Sequence, residues 1–167
     1  MIVSIFGSPN AGKTTLRRAL AERHPGMASY CIDDFRREYG DGSSAGEFLA
    51  QRRFLETMGA KDGFYESSGA GLCAQDATEF FTDDHYVIVV DTPADVCVSR
   101  IRAGKYDGIP FPVRTSEEDM IRHVHDFLDS RMFRRWCVDL PVLRLDGMLP
   151  IGEQVKRVEE FSGLSSL

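Results

Sequence analysis

Residues 7–14 read Gly7-Ser8-Pro9-Asn10-Ala11-Gly12-Lys13-Thr14, which fits the pattern G-x-x-x-x-G-K-[ST] and is followed by a further hydroxyl at Thr15. These types answer one chemical need, that of holding a chain of phosphates. Gly7 and Gly12 let the backbone curl so that N–H groups turn inward on an anion, with Ser8, Pro9, Asn10 and Ala11 forming the loop between them. A helix opening near Lys13 adds its positive N-terminal end. Lys13 reaches the outer phosphates, and the Thr14 hydroxyl is placed to ligate Mg2+. The apolar run Ile2-Val3-Ser4-Ile5-Phe6 directly before it supplies the short buried strand that the pattern requires. The expectation is a nucleoside triphosphate site, taking ATP with Mg2+.

Composition narrows what such a site serves. With 167 residues and 43% hydrophobic content, the chain is expected to form one compact domain, residues 1–167, around a sizeable core. The first strand begins at Ile2 and no apolar run approaches a membrane span, so a cytoplasmic protein without membrane contact is expected. Cys31, Cys73, Cys97 and Cys137 are widely spaced and read as buried, reduced thiols. His123 and His125 lie two apart in a helical pattern and face different ways, which argues against a metal pair. A net charge of -6 argues against a broad electrostatic grip on nucleic acid but leaves room for a local basic groove. The doublets Arg17-Arg18, Arg36-Arg37, Arg52-Arg53 and Arg134-Arg135 read mainly as solvated helix faces.

The elements follow from periodicity and punctuation. After the first helix stops at Pro25-Gly26, residues 28–32 read as a second strand that delivers Asp33-Asp34. A loop over 40–44 leads to a helix over about 45–61, with Phe48, Leu55 and Met58 on one side. Residues 63–67 form a third strand ending at Glu66, and small residues 67–71 lead into a helix ending near Phe81. The β-formers of 85–90 make the clearest strand. Asp91-Thr92-Pro93 then caps a helix over 93–103 whose polar side carries Arg100 and Arg102. Residues 104–114, with two Gly, two Pro, Lys105 and Arg114, read as a mobile loop. Thr115-x-x-Glu118 is a capping box for a long helix with Ile121, Val124, Leu128 and Met132 buried. A fifth strand over 142–145 and a last helix with Val155, Val158 and Phe161 complete the chain. Strands alternating with helices predict an α/β fold, a five-stranded parallel sheet with helices on both faces.

A GTP switch needs an Asn-Lys-x-Asp guanine reader, and Asn10 is the only asparagine. A motor-type ATPase places an apolar strand ending in Asp beside this loop; Val87 to Asp91 has that form, but Thr92-Pro93 suits a helix cap better. A small-molecule or nucleic-acid kinase needs the phosphate loop, an acceptor site after the second strand and a late arginine-bearing lid. All three occur in that order.

The segment GSPNAGKTTLRRALAERHPGMASYCIDDFRREYG resembles the opening of the polynucleotide 5′-hydroxyl kinases, with their Asp-Asp-(Tyr/Phe)-Arg motif. VVDTPADVCVSRIRAGK, residues 89–105, is similar to that family's fourth strand and lid, whereas 40–85 match only in element order. The resemblance implies a P-loop NTPase fold with an arginine-bearing lid at about 104–114. It implies that Asp33 receives or orients the proton of the acceptor hydroxyl and that Arg36 holds an acceptor phosphate. Arg100, Arg102 and Lys105 fall where lid cations cover the donor phosphates, although the family's last arginine would fall near Gly104. Read from the residues alone, Asp33 and Asp34 equally suit a helix start. Glu66 is a candidate to hold Mg2+ or its waters, with a surface or capping role as the alternative. The expected activity is transfer of the γ-phosphate of ATP to a hydroxyl on a nucleic acid or nucleotide, at a polynucleotide 5′ end or on a hydroxymethylated pyrimidine in DNA. The alternatives are a kinase of a free nucleotide or small metabolite, and a nucleotide-binding regulatory or toxin-like module without turnover.

Overall fold

The computed structural model describes residues 1–75, 78–112 and 115–164. In chain order the elements are β1 (Ile2–Phe6), α1 (Lys13–Arg23), β2 (Ala28–Cys31), α2 (Ile32–Tyr39), α3 (Ser44–Ala60) and β3 (Gly63–Glu66). After two short 3₁₀ turns come β4 (His85–Asp91), α4 (Ala94–Ser99), α5 (Glu117–Leu128), α6 (Arg131–Trp136), β5 (Val142–Asp146) and α7 (Ile151–Ser162). The strands form one parallel sheet in the order β2-β3-β1-β4-β5. The α/β expectation holds, down to the strand count.

The sheet is covered on both faces, which explains why β1 carries scarcely a polar residue. Val3 and Ile5 pack with Leu16, Leu20, Ile88, Val155 and Val158 under α1 and α7. Ile2 and Phe6 point the other way, toward Phe54, Leu55, Met58, Val124 and Phe133 from α3, α5 and α6. This period-two alternation places β1 at the centre with its end, and the loop that follows, between the two layers. Ser4 is its one polar side chain, and it meets His85 Nε2 at 2.8 Å in the core.

Several expected details give way to local chemistry. The helix expected up to Phe81 is instead two 3₁₀ turns, Leu72–Ala74 and Thr78–Phe80. Here side-chain anchors replace helical hydrogen bonds: Leu72 is buried in the core and Gln75 donates to the Phe48 carbonyl at 3.1 Å. Phe48 is 55% exposed, because the buried stripe of α3 runs through Ala50, Phe54, Leu55 and Met58. Helix α4 stops at Ser99, where Arg100 and Ile101 N–H groups bond three residues back and tighten the turn. Arg100 and Arg102 therefore follow the helix rather than lie on it.

The α5 cap is Ser116, accepting from the Asp119 N–H at 3.1 Å, one residue later than the expected box. Met132 lies on the separate α6, opened by a Ser130 cap, and is 64% exposed. Asp91 and Thr92 cap nothing. Asp91 closes β4 beside Arg144 at 3.5 Å, while Thr92 donates to the Ala11 carbonyl at 2.8 Å. All four cysteines are free; Cys97 and Cys137 are buried, Cys31 and Cys73 half-buried. No helix among the described residues is long and apolar enough to cross a membrane.

Candidate active site

The C-terminal ends of β1, β2 and β3 open into a cavity of about 1060 Å³, where ligands of parallel sheets collect. The phosphate-loop pattern forms its floor. Gly12 caps α1 with φ 103°, a left-handed conformation that a side chain would strain. Gly7 is needed for closeness: a Cβ there would stand 3.0 Å from the Val90 carbonyl. Asn10 also takes a left-handed φ, 65°, which asparagine tolerates better than most residues. Pro9, Asn10, Lys13, Thr14 and Thr15 border the cavity. Behind them Ser8 is buried against the Ile121 carbonyl, and the Ala11 carbonyl is held by Thr92. Thr92 in turn abuts Gly147, where a Cβ would come within 2.0 Å of its hydroxyl, so the loop after β5 needs a glycine to close on this floor.

Lys13 folds back to donate to the Ser8 carbonyl at 2.7 Å. Burial pushes its ammonium pKa below the ordinary lysine value, with the nearby Glu66 carboxylate opposing that shift. Such a cation is under-compensated, and an anionic ligand would relieve it. Thr14 Oγ1 donates to Glu66 Oε1 at 2.6 Å, and Arg17 Nε donates to the other Glu66 oxygen at 2.6 Å. One hydroxyl and one carboxylate facing a phosphate site suit Mg2+, which keeps most of its waters and leans on substrate phosphates. Among the described residues there is no group of three or more His, Cys, Asp or Glu that could hold a metal by themselves.

The acceptor candidates line the same cavity. Asp33 lies in the first turn of α2, and its Oδ1 accepts from Arg36 Nη1 at 2.8 Å. Arg36, expected to hold a phosphate, is gripped from its other side by Glu47: Nε reaches Oε2 at 2.9 Å and Nη2 reaches Oε1 at 2.7 Å. Its guanidinium lies 4.5 Å from the centre of the Phe111 ring. Gln51, one turn after Glu47 on α3, donates to Glu47 Oε1 at 2.8 Å. Asp34 points outward to Arg37 and stays outside the cavity.

The segment after α4 adds further cations to the lining. Arg100 Nη1 donates to the Asn10 carbonyl at 3.1 Å, and Lys105 donates to Asn10 Oδ1. Asn10 Nδ2 answers Glu117 Oε1 at 3.0 Å. Arg102 borders the cavity with them. Of the expected lid, Val113 and Arg114 lie outside the described residues. The structure thus brings Lys13, Thr14, Glu66, Asp33, Arg36, Arg100, Arg102 and Lys105 to one cavity.

Glu47, Gln51 and Phe111 were not singled out from the sequence. A signal existed for the first two. They sit one turn apart among the core-facing positions of α3, where a polar side chain needs a partner. Phe111 falls in an irregular loop and carries no pattern.

No protein-family model matches the chain, and no curated relative does. Solved structures do match. A sugar kinase from Janibacter sp. superposes with a TM-score of 0.69 at 16% identity, over 99% of this chain and 95% of that one. Shikimate kinase from Bacteroides thetaiotaomicron gives 0.68 at 18% identity, over 98% and 99%. Deoxyadenosine kinase from M. mycoides with bound dATP gives 0.56 at 13%, over 96% and 98%. These neighbours are small P-loop kinases, and at such identities the likeness is one of fold. The chain has the P-loop NTPase fold.

Proposed function

We propose that the chain is an ATP-dependent kinase acting on an alcohol group. The observation that carries this is that Asp33 and Lys13, which follow different strands of a parallel sheet, line one cavity. ATP is the donor. Its phosphates lie on the loop from Gly7 to Thr14, with Lys13 at the outer ones and Arg100, Arg102 and Lys105 covering them from the lid. Thr14 would hold Mg2+, with Glu66 ordering its ligand sphere, and the ion would supply charge neutralisation to the donor phosphates.

Asp33 holds the acceptor hydroxyl in line. The hydroxyl oxygen bonds to the γ-phosphorus, the bond from that phosphorus to the β–γ bridging oxygen breaks, and ADP leaves with the electron pair. The acceptor proton passes to the Asp33 carboxylate. A loose transition state makes positioning and cations the main contributions, and both are supplied here.

For the acceptor, the geometry favours a small molecule or nucleoside reached through a walled cavity. The neighbours named for sugar, shikimate and deoxyadenosine phosphorylation share the fold and support this class. A hydroxyl on a nucleic acid is the second reading. The Asp33-Asp34-Phe35-Arg36 sequence, similar to the polynucleotide kinase motif, favours it. ATP carrying a radiolabelled γ-phosphate, offered with nucleosides, sugars, nucleotides and oligonucleotides, tests both. Acceptor-dependent label transfer is expected. Tight ATP binding with no transfer to any acceptor would instead support a nucleotide-binding module without turnover.

A further inference from the structure

The acceptor end of the cavity holds one cation between two carboxylates. Asp33, Arg36 and Glu47 sum to a single negative charge, and their side chains are only 28%, 15% and 11% exposed. Water therefore screens them weakly. Arg36 offers five N–H donors in a planar fork, and its Nε, Nη1 and Nη2 all already donate to carboxylate oxygens. One face of the fork is covered by Phe111. Glu47 is fixed in turn by Gln51, whose own Oε1 accepts from Gln75 at 3.3 Å. Gly71 makes room for that amide, since a Cβ there would stand 2.4 Å from Gln51 Nε2.

A phosphate entering this end would add negative charge to a site that is already negative. On the remaining Arg36 N–H groups it would stand beside two carboxylates that already neutralise the guanidinium, and a closer grip would draw the guanidinium off Glu47 and leave a nearly buried carboxylate without its cation. A hydroxyl, amide or ring nitrogen meets no such barrier. It can accept from the remaining Arg36 N–H groups or donate to the free carboxylate lone pairs. Resting on the kinase reading, we propose that the part of the acceptor seated between α2 and α3 is an uncharged, hydroxyl-bearing group such as a nucleoside or sugar. Glu47 sets this preference by neutralising Arg36. A phosphate next to the reacting hydroxyl, as at a polynucleotide 5′ end, is selected against.

The test compares matched pairs, thymidine with thymidine 3′-monophosphate and glucose with glucose 1-phosphate, in two readouts. One is kcat/KM for phosphoryl transfer; the other is calorimetric binding to protein saturated with a non-hydrolysable ATP analogue. The wild type should prefer an unphosphorylated member by at least about tenfold, as each unfavourable contact of 1.4 kcal/mol is a factor of ten. Glu47→Gln frees Arg36 from one carboxylate and should shrink or reverse that preference. A wild-type preference for the phosphorylated member, an unchanged ratio in Glu47→Gln, or binding of neither member of either pair overturns the proposal. The wild-type ratio decides alone if the variant does not fold. Absence of transfer in every pair sinks the kinase reading, while the binding ratio still judges the acceptor class.

Discussion

The Thr14 hydroxyl, in the first turn of α1, donates to Glu66 Oε1 at the end of β3 across 2.6 Å. Because β3 pairs with β1 in register, with Glu66 opposite Ile5, the sheet itself sets this contact beside the phosphate loop. Arg17, one turn further along α1, holds the second carboxylate oxygen at 2.6 Å. Glu66 is 6% exposed, with both carboxylate oxygens engaged.

From that arrangement, Glu66→Gln is expected to raise the Mg2+ concentration for half-maximal turnover by about ten- to a hundredfold, the usual cost of losing an ordering carboxylate. Saturating Mg2+ should recover most of kcat. A metal titration of the two proteins checks this; an unchanged midpoint removes Glu66 from the metal site.

Lys13→Ala is expected to lose nearly all of the transfer rate while leaving the melting temperature within a few degrees. Its ammonium makes one neutral contact, to the Ser8 carbonyl, and its burial, which lowers its pKa, leaves the fold little to lose with the charge. A transition state stabilised mainly by positioned cations loses a hundred- to thousandfold when one is removed. Normal turnover in the variant would displace the donor from this loop.

The sheet and the phosphate loop were legible because their signals are local. The run of β1 and the residues 7–14 each lie within one short stretch. The caps failed by one position at Thr115 and Ser116, since adjacent hydroxyls compete for the same role and only the backbone decides. The helix expected before Phe81 failed for a different reason. Gln75 and Leu72 are committed to partners on α3 and in the core, which no local pattern encodes. Arg36 illustrates the limit most clearly. Its nearness to Asp33 was legible at i,i+3 spacing, but Glu47 arrives from another helix and changes what the guanidinium can bind.

Asn10 ties the phosphate loop to the segment after α4, accepting from Lys105 and donating to Glu117 and the Cys97 carbonyl. Asn10→Gly keeps the left-handed backbone but removes these contacts. Amide exchange over residues 100–112 should then accelerate severalfold in the absence of ATP, because the protected state loses its anchor. Saturating ATP and Mg2+ should slow exchange there in the wild type, as the cations gain phosphate partners. Exchange unaffected by both changes would argue against a lid.

His85 provides a pH signature. Burial lowers its pKa from 6.5 to about 4, and its Nε2 meets Ser4 Oγ in the core. The unfolded chain therefore takes up a proton before the native protein does. The stability His85 permits is complete above about pH 6.5 and declines as pH falls toward 4, where the native ring also protonates. The full loss is about 3 kcal/mol, from 1.36 kcal/mol per pKa unit. Urea unfolding between pH 7 and pH 4.5 should show this decline as a steeper fall for the wild type than for His85→Gln, which keeps a polar partner for Ser4. Parallel pH profiles would mean that His85 is not the titrating group.

Asp33→Asn is expected to bind ATP normally and lose most of the transfer rate. The side chain sits at the start of α2 and lines the same cavity as Lys13, with Oδ1 engaged by Arg36 and Oδ2 left to meet an acceptor. A positioned carboxylate that receives a proton contributes about a hundred- to ten-thousandfold. Asn keeps the shape and can still accept from Arg36 through its amide oxygen, and Arg36 remains anchored on Glu47, so the fold should survive. What Asn lacks is the charge that attracts the hydroxyl proton as the oxygen–phosphorus bond forms. If Asp33 serves only to start α2, the substitution should be nearly silent, because Asn is accepted near helix starts as readily as Asp. Asp34→Asn is the matched control, since Asp34 is 67% exposed and pairs with Arg37 in solvent, where such pairs contribute little. Steady-state kcat and ATP affinity for both variants, on whichever acceptor takes the label, separate the cases. A loss confined to kcat in Asp33→Asn identifies the residue that handles the acceptor hydroxyl. Near wild-type kcat there, or a larger loss in Asp34→Asn, assigns that role elsewhere in the cavity.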